Sequence, residues 1–264
     1  MREANNIIPF PTEILNFQKS NLESYIIDLT ENKLPFLNEL SNTTFYTKQI
    51  ETYANWMSDL TEKDSKHWER GVVIHVQTDN KKLIFPKNPD IGEDACGWAV
   101  SKRRDLFLPT INIHTHPQIN ICFSPGDMST FLSGWGDKTT DFFIPTGMLV
   151  SAPKFNFLIL KSQETPSAID KNEVYNKSWI KYGGEEYFKL AEDGVKKVGS
   201  FQPIDDAFNG FFNFYKAFVS TFKLAQEYKF GFYYSTKDGI YTPFTKDKLT
   251  EVMTSILDDT ISRL

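Results

Sequence analysis

Residues 113–127 decide the reading of this chain: Ile113-His114-Thr115-His116-Pro117, six further residues, then Ser124-Pro125-Gly126-Asp127. The short apolar run Thr110–Ile113 reads as a strand. Two histidines separated by one residue at its end therefore project from the same face. Ser124 has the character of a helix N-cap, Pro125 suits the first helical position, and Gly134 supplies a stop. The stretch thus reads strand, loop, helix start. Two imidazoles on one face can reach one metal ion at about 2.0–2.1 Å, and a carboxylate in the first turn of the following helix can supply a third ligand. Three protein ligands with one open position is the arrangement of catalytic zinc, which brings the pKa of water to about 7. Ser124 and Asp127 also have capping-box spacing, which accounts for both without a metal. The two readings are compatible, because a cap rigidifies the turn that presents Asp127.

Outward from this stretch the chain divides into three. Residues 67–162 hold short runs rich in Val, Ile and Phe, at Gly71–Val76, Leu83–Phe85, Thr110–Ile113, Met148–Val150 and Phe155–Leu160. Each is bounded by turn formers and reads as a strand. Residues 1–66 read as a helical N-terminal extension. Ser20 and Glu23 have capping-box spacing before Leu22, Ile26 and Leu29, and a second helix carries Ile50, Tyr53, Met57 and Leu60. Residues 163–264 read as a mostly helical C-terminal region with a hairpin. Phe208, Phe211, Phe212, Tyr215, Phe218 and Phe222 make an aromatic stripe that reads first as core; it is wide for one helix face, so one part of it is a candidate for contact with a partner or with the middle region. Phe230–Phe244 reads as a hairpin turning at Asp238-Gly239. From Thr245, a last helix places Leu249, Val252, Met253, Ile256 and Ile261 on one face. Strands mixed with helices imply an α/β or α+β core.

Composition narrows the function classes. With 264 residues, 23 Phe and ordinary apolar content, the chain can bury a sizeable core. The net charge of −5, with both signs interspersed, offers no basic stripe for nucleic acid. No run of apolar residues has the length of a membrane span, and the start lacks the apolar region of a signal peptide. Two cysteines, Cys96 and Cys122, cannot build a disulfide framework, so a cytoplasmic setting is expected.

His114-Thr115-His116-Pro117, followed at fixed spacing by Ser124-Pro125-Gly126-Asp127, resembles the motif of the JAMM (MPN+, JAB1/MPN/Mov34) zinc metalloproteases. The resemblance covers roughly residues 67–162. It implies a curved, MPN-like β-sheet core with packed helices, and one Zn²⁺ per chain on His114, His116 and Asp127. It also implies an upstream glutamate before the first core strand. Glu69 fits that place, with Glu62 and Glu93 as the other candidates. In such a site Glu69 acts as general base, taking a proton from the attacking water and returning it to the leaving amine. Ser124 donates to the developing oxyanion. The implied substrate is a peptide or isopeptide bond, often at the C-terminus of ubiquitin or a ubiquitin-like protein; the residues by themselves imply only metal-assisted hydrolysis. The stretch Lys87–Ala95, between two expected strands, is a candidate substrate-contact loop.

Other readings meet specific obstacles. A metallo-β-lactamase-like site wants Asp two residues after the second histidine, where this chain has Gln118. Amidohydrolase-type sites need further histidines downstream, but all four lie at 67, 75, 114 and 116. His75 shares parity with Glu69, yet six strand residues span about 20 Å, so it reads as structural; His67 reads as a surface residue. A structural zinc site prefers four protein ligands, with Cys122 the one plausible fourth, although a buried small hydrophobe is the simpler reading of that residue. The remaining alternative is a catalytically silent MPN-type scaffold or interaction module.

Overall fold

The computed structural model describes residues 45–46, 48–77, 79, 83–93, 106–117, 121–135, 143–162, 164–182 and 205–245, together with positions 248, 251–252 and 255. The capping box expected at Ser20 and Glu23, the helix after it, and most of the helix expected from Thr245 lie outside these residues.

The architecture is mixed α/β. In chain order the elements are β1 (Phe45–Tyr46), α1 (Lys48–Lys63), β2 (Glu69–Gln77), β3 (Leu83–Ile84), β4 (Asp90–Gly92), β5 (Phe107–Thr115), α2 (Pro125–Ser133), β6 (Gly147–Ser151), β7 (Asn156–Lys161), α3 (Lys171–Asn176) with a π-helical turn over Lys177–Tyr182, α4 (Asp205–Tyr228), β8 (Phe230–Ser235) and β9 (Ile240–Pro243). The strands form one sheet in the order β1-β9-β8-β7-β6-β5-β2-β3, and β4 pairs with the other end of β2. The pairing of β5 with β6 is parallel and the other pairings described are antiparallel. The β5–β6 connection runs through α2, as a parallel pair requires a crossover. The sheet draws on chain both before residue 67 and after residue 162, through β1, β8 and β9.

Strand alternation sends the core to both faces. On one face, Val73, Met148, Val150, Phe157, Ile159, Phe230 and Phe232 are buried with Met128, Phe131 and Leu132 of α2 and Phe218 and Leu224 of α4. The aromatic packing there is dense. Phe218 lies 5.1 Å from Phe157 edge to face, and Phe244 stacks on Phe232 at 4.6 Å between ring centroids. On the other face, Val72, Ile74, Ile111, Ile113, Leu149 and Leu158 meet Ile50, Tyr53, Ala54 and Met57 of α1. The periodicity of α1 explains this docking, since those residues recur at three and four positions.

A polar row crosses the α1 face at the end of the sheet where β5 and β6 finish. Thr115, Ser151, Asn156 and Ser235 are register partners on adjacent strands, and all four are buried. The α1 residues Glu51, Asn55, Ser58 and Thr61 lie along one stripe above them. Asn156 Nδ2 donates to Asn55 Oδ1 at 3.0 Å and Ser235 Oγ donates to Glu51 Oε1 at 2.6 Å.

The expected strands and the helix beginning at Pro125 are present, and the hairpin turns through Gly239 at φ 83°. Lys87–Ala95, read as a loop between strands, instead contains β4, whose Asp90, Ile91 and Gly92 pair with Gly71, Arg70 and Glu69. Asp and Gly are poor strand formers, but the open edge of β2 outweighs that preference. Among the described residues, no helix is long and apolar enough to cross a membrane.

Candidate metal centre

The site forms where β5 ends and α2 begins. His114 and Gly71 are register partners, so His114 and His116 share the sheet face that carries Val73 and Met148. Pro117 leaves the strand, and the chain re-enters regular structure at Ser124. Ser124 has an extended backbone (φ −70°, ψ 164°) and caps α2. Its Oγ accepts the backbone N–H of Asp127 at 3.2 Å, while its own N–H donates to Asp127 Oδ2 at 2.8 Å. This reciprocal capping box fixes the Asp127 carboxylate over the strand end. Gly134 closes the helix, its N–H donating to Thr130 O at 2.9 Å.

The three side chains converge. His114 Nε2 lies 3.2 Å from Asp127 Oδ1, and His116 Nε2 lies 3.6 Å from Asp127 Oδ2. One nitrogen or oxygen from each of the three falls within 4.8 Å of the other two. Ligand atoms about 2.0–2.2 Å from a tetrahedral metal ion stand roughly 3.3 Å apart, and the two distances to Asp127 lie close to that, so the group could hold a metal ion. Among the described residues, these three form the one such group of His, Cys, Asp and Glu. The second nitrogen of His116 supports the fit. Its Nδ1 lies 3.2 Å from Ile121 O, and a carbonyl can only accept, so Nδ1 carries the proton and Nε2 keeps its lone pair for a metal.

Electrostatics reinforce the trio. Burial is the strongest single influence on His114 and opposes its charge. The Asp127 carboxylate, helped by the more distant Glu69, exceeds that influence and raises the pKa. His116 is pulled down to about 4, first by burial and then by His114. Burial would raise the pKa of Asp127, but its contacts with His114, His116 and the Ser124 N–H hold it well below the usual carboxylate range. Asp127 is thus an anion in the free protein, as a metal ligand must be.

Glu69 joins this face from β2. It stands one side-chain period before Gly71, as His116 stands one beyond His114. Gly71, directly across from His114, has no side chain to come between Glu69 and the imidazoles. Glu69 is half-buried and contributes to the field at His114. The other glutamates are elsewhere: Glu62 is exposed on the last turn of α1, and Glu93 is exposed beyond β4. Cys122 is fully buried beside Thr221 of α4, Sγ to Oγ1 3.7 Å, and burial pushes its thiol up to about 12. It is a packed thiol outside the ligand group. His75 is buried in β2 next to Ile84 and Pro109, away from the site, and His67 is half-buried with a left-handed backbone (φ 50°).

The chain matches no protein-family model, no curated protein and no solved structure. The site therefore rests on its own geometry and on the resemblance of its motif.

The sequence reading passed over a ring of polar groups behind the strand end. Thr115 Oγ1 accepts the Arg70 N–H at 2.9 Å and meets Thr61 Oγ1 at 3.0 Å. Arg70 Nη1 donates to Thr61 Oγ1 at 3.3 Å, and Nη2 donates to Asp64 Oδ2 at 3.0 Å. Thr115 alone carried a signal, as a hydroxyl between two histidines pointing to the opposite face.

Proposed function

We propose that this chain is a zinc-dependent hydrolase of JAMM type that cleaves a peptide or isopeptide bond. The observation that supports it most is the convergence of His114, His116 and Asp127 at the end of β5, with Glu69 on the same sheet face. His114, His116 and Asp127 would hold the ion and leave one position open. When bound, zinc supplies Lewis acidity and makes water acidic enough to ionise near neutral pH.

The chain's own residues do the rest. Ile121 O holds the His116 ring in one tautomer, and Ser124 fixes Asp127 through the cap. Glu69 takes the proton of the attacking water on its carboxylate and returns it to the leaving nitrogen. Ser124 Oγ accepts a hydrogen bond from Asp127 N, so its own hydroxyl proton is available for the scissile carbonyl oxygen as charge builds there. The motif resemblance favours an isopeptide at the C-terminus of ubiquitin or a ubiquitin-like protein as substrate.

The test is cleavage of a diglycine-tailed isopeptide by zinc-loaded protein, with Glu69→Gln as control. Loss of a general base lowers turnover by about 10²- to 10⁴-fold, and zinc content should stay at the wild-type value. Zinc-loaded wild type that leaves every such substrate intact would overturn the hydrolase reading in favour of a silent interaction module. Normal turnover in Glu69→Gln would move the base to another residue.

A further inference from the structure

We infer that Thr115 is a positioning residue that sets the separation between Glu69 and the histidine pair, and that α1 holds it in place through Thr61. This rests on the hydrolase reading and extends it from which groups meet to what keeps them at a fixed spacing. The backbone register between β2 and β5 ends at Gly71 and His114. Glu69 and His116 both lie beyond that last pair; β4 holds Glu69 through Gly92 and the His116 N–H donates to Ser151 O of β6 at 2.9 Å, but no β2–β5 backbone rung ties one to the other.

The Thr115 hydroxyl takes over where the ladder stops. Its Oγ1 accepts the Arg70 N–H at 2.9 Å, a further rung made by a side chain. That rung joins the neighbour of Glu69 to the residue between His114 and His116. Alternation along the strand turns Thr115 away from the ion, so it acts only through the backbone. Thr61 of α1 then closes a ring. It meets Thr115 at 3.0 Å and accepts from the Arg70 guanidinium, which Asp64 anchors from the other side. Thr61 and Thr115 are each 1% exposed, so water cannot readily replace a lost partner. With Glu69 held from its far side by β4 and His116 from its far side by β6, the Thr115 contact is what joins β2 to β5 at this end.

The chemistry calls for a hydroxyl and not merely for bulk. Thr115→Val keeps the shape and the branched Cβ but loses the acceptor, whereas Thr115→Ser keeps the acceptor. Three readouts are taken on the full chain: amide hydrogen exchange at Arg70, zinc per chain, and kcat and KM on the diglycine-tailed isopeptide. In Thr115→Val, exchange at Arg70 should accelerate by about tenfold, the loss of one net hydrogen bond. Zinc should still bind, and kcat should fall by about 10- to 100-fold with KM unchanged, as for other residues that orient a site from behind. Thr115→Ser should return each readout to within about threefold of wild type. Unchanged protection of Arg70 in Thr115→Val, or a Ser variant that behaves like the Val variant, would overturn the inference. Should Thr115→Val fail to fold, Thr61→Val opens the same ring from the helix side and should shift exchange and kcat in the same direction; no shift there would overturn it equally. Exchange at Arg70 decides the clamp even if the zinc-loaded wild type cleaves nothing, an outcome that would remove only the hydrolase reading.

Discussion

On the α1 face of the sheet, Glu51 lies 3% exposed and receives the hydroxyl of Ser235 at 2.6 Å and that of Tyr241. On the opposite face, Asp127 lies against two imidazoles at 3.2 and 3.6 Å. Both carboxylates are withdrawn from water, and both are held by groups from distant strands. Their partners differ in kind. Hydroxyls donate protons, so Glu51 is satisfied by the fold itself. A neutral imidazole held as a donor elsewhere, as His116 is by Ile121, turns a lone pair toward Asp127 instead. The His116 lone pair and the Asp127 anion face one point, with the His114 ring beside them, and that combination suits a cation. Burial and charge therefore do not separate a structural acid from a metal ligand; the donor or acceptor character of its neighbours does.

The largest expected effect breaks the comparison most cleanly. Asp127→Ala should abolish zinc binding, read by elemental mass spectrometry, while Glu51→Ala should keep the full zinc content. Glu51→Ala should instead lower stability by about 3 kcal/mol in a denaturant titration, because it removes the charged acceptor that the Ser235 and Tyr241 hydroxyls share. Equal zinc loss in both variants would erase the distinction between the faces.

A second contrast lies within the face that carries His114 and Asp127, at its far end. Lys161 is 8% exposed with its ammonium 5.0 Å from the Phe131 ring centroid, and no hydrogen-bond partner for Nζ exists among the described residues. Burial pulls its pKa down to about 7. An unfolded lysine keeps its proton to about pH 10.4. Between about pH 7 and 10 the unfolded chain thus binds the extra proton, and stability should rise with pH across that window and level off below it. Lys161→Met should flatten the rise and add roughly 3 kcal/mol at pH 7. An unaltered pH profile in the variant would show that Lys161 finds a partner. The smallest effect sharpens the comparison from the α1 side. A Cβ at Gly147 would stand 2.8 Å from Leu160 Cδ2 and 3.1 Å from Ile111 Cγ1. Gly147→Ala should cost about 2 kcal/mol by overpacking, with zinc content unchanged; zinc loss would mean that the two faces are mechanically coupled.

What the sequence made legible was local. Ser124, Pro125, Asp127 and Gly134 announce the start and end of α2 because capping depends on residues three or four apart. His114 and His116 share a face by strand parity alone. The strand β4 was not legible, since Asp90 and Gly92 argue against a strand and only the edge of β2 argues for one. The polar seam was hidden for a different reason. Glu51, Asn55, Ser58 and Thr61 have the spacing of a solvated stripe, and their partners stand far along the chain, Thr115 at 54 residues from Thr61 and Ser235 at 184 from Glu51. The placement of Glu69 lies between these cases. Its strand was legible, but its approach to His114 depends on the β2–β5 register, which no local pattern states.

The most direct test of the central claim is zinc titration of metal-free wild-type protein against a chromophoric chelator at neutral pH. One zinc per chain, held more tightly than about micromolar, is the result this account predicts. Protein that takes up no zinc under those conditions would contradict it, and would leave Ser124 and Asp127 as the two halves of a helix cap.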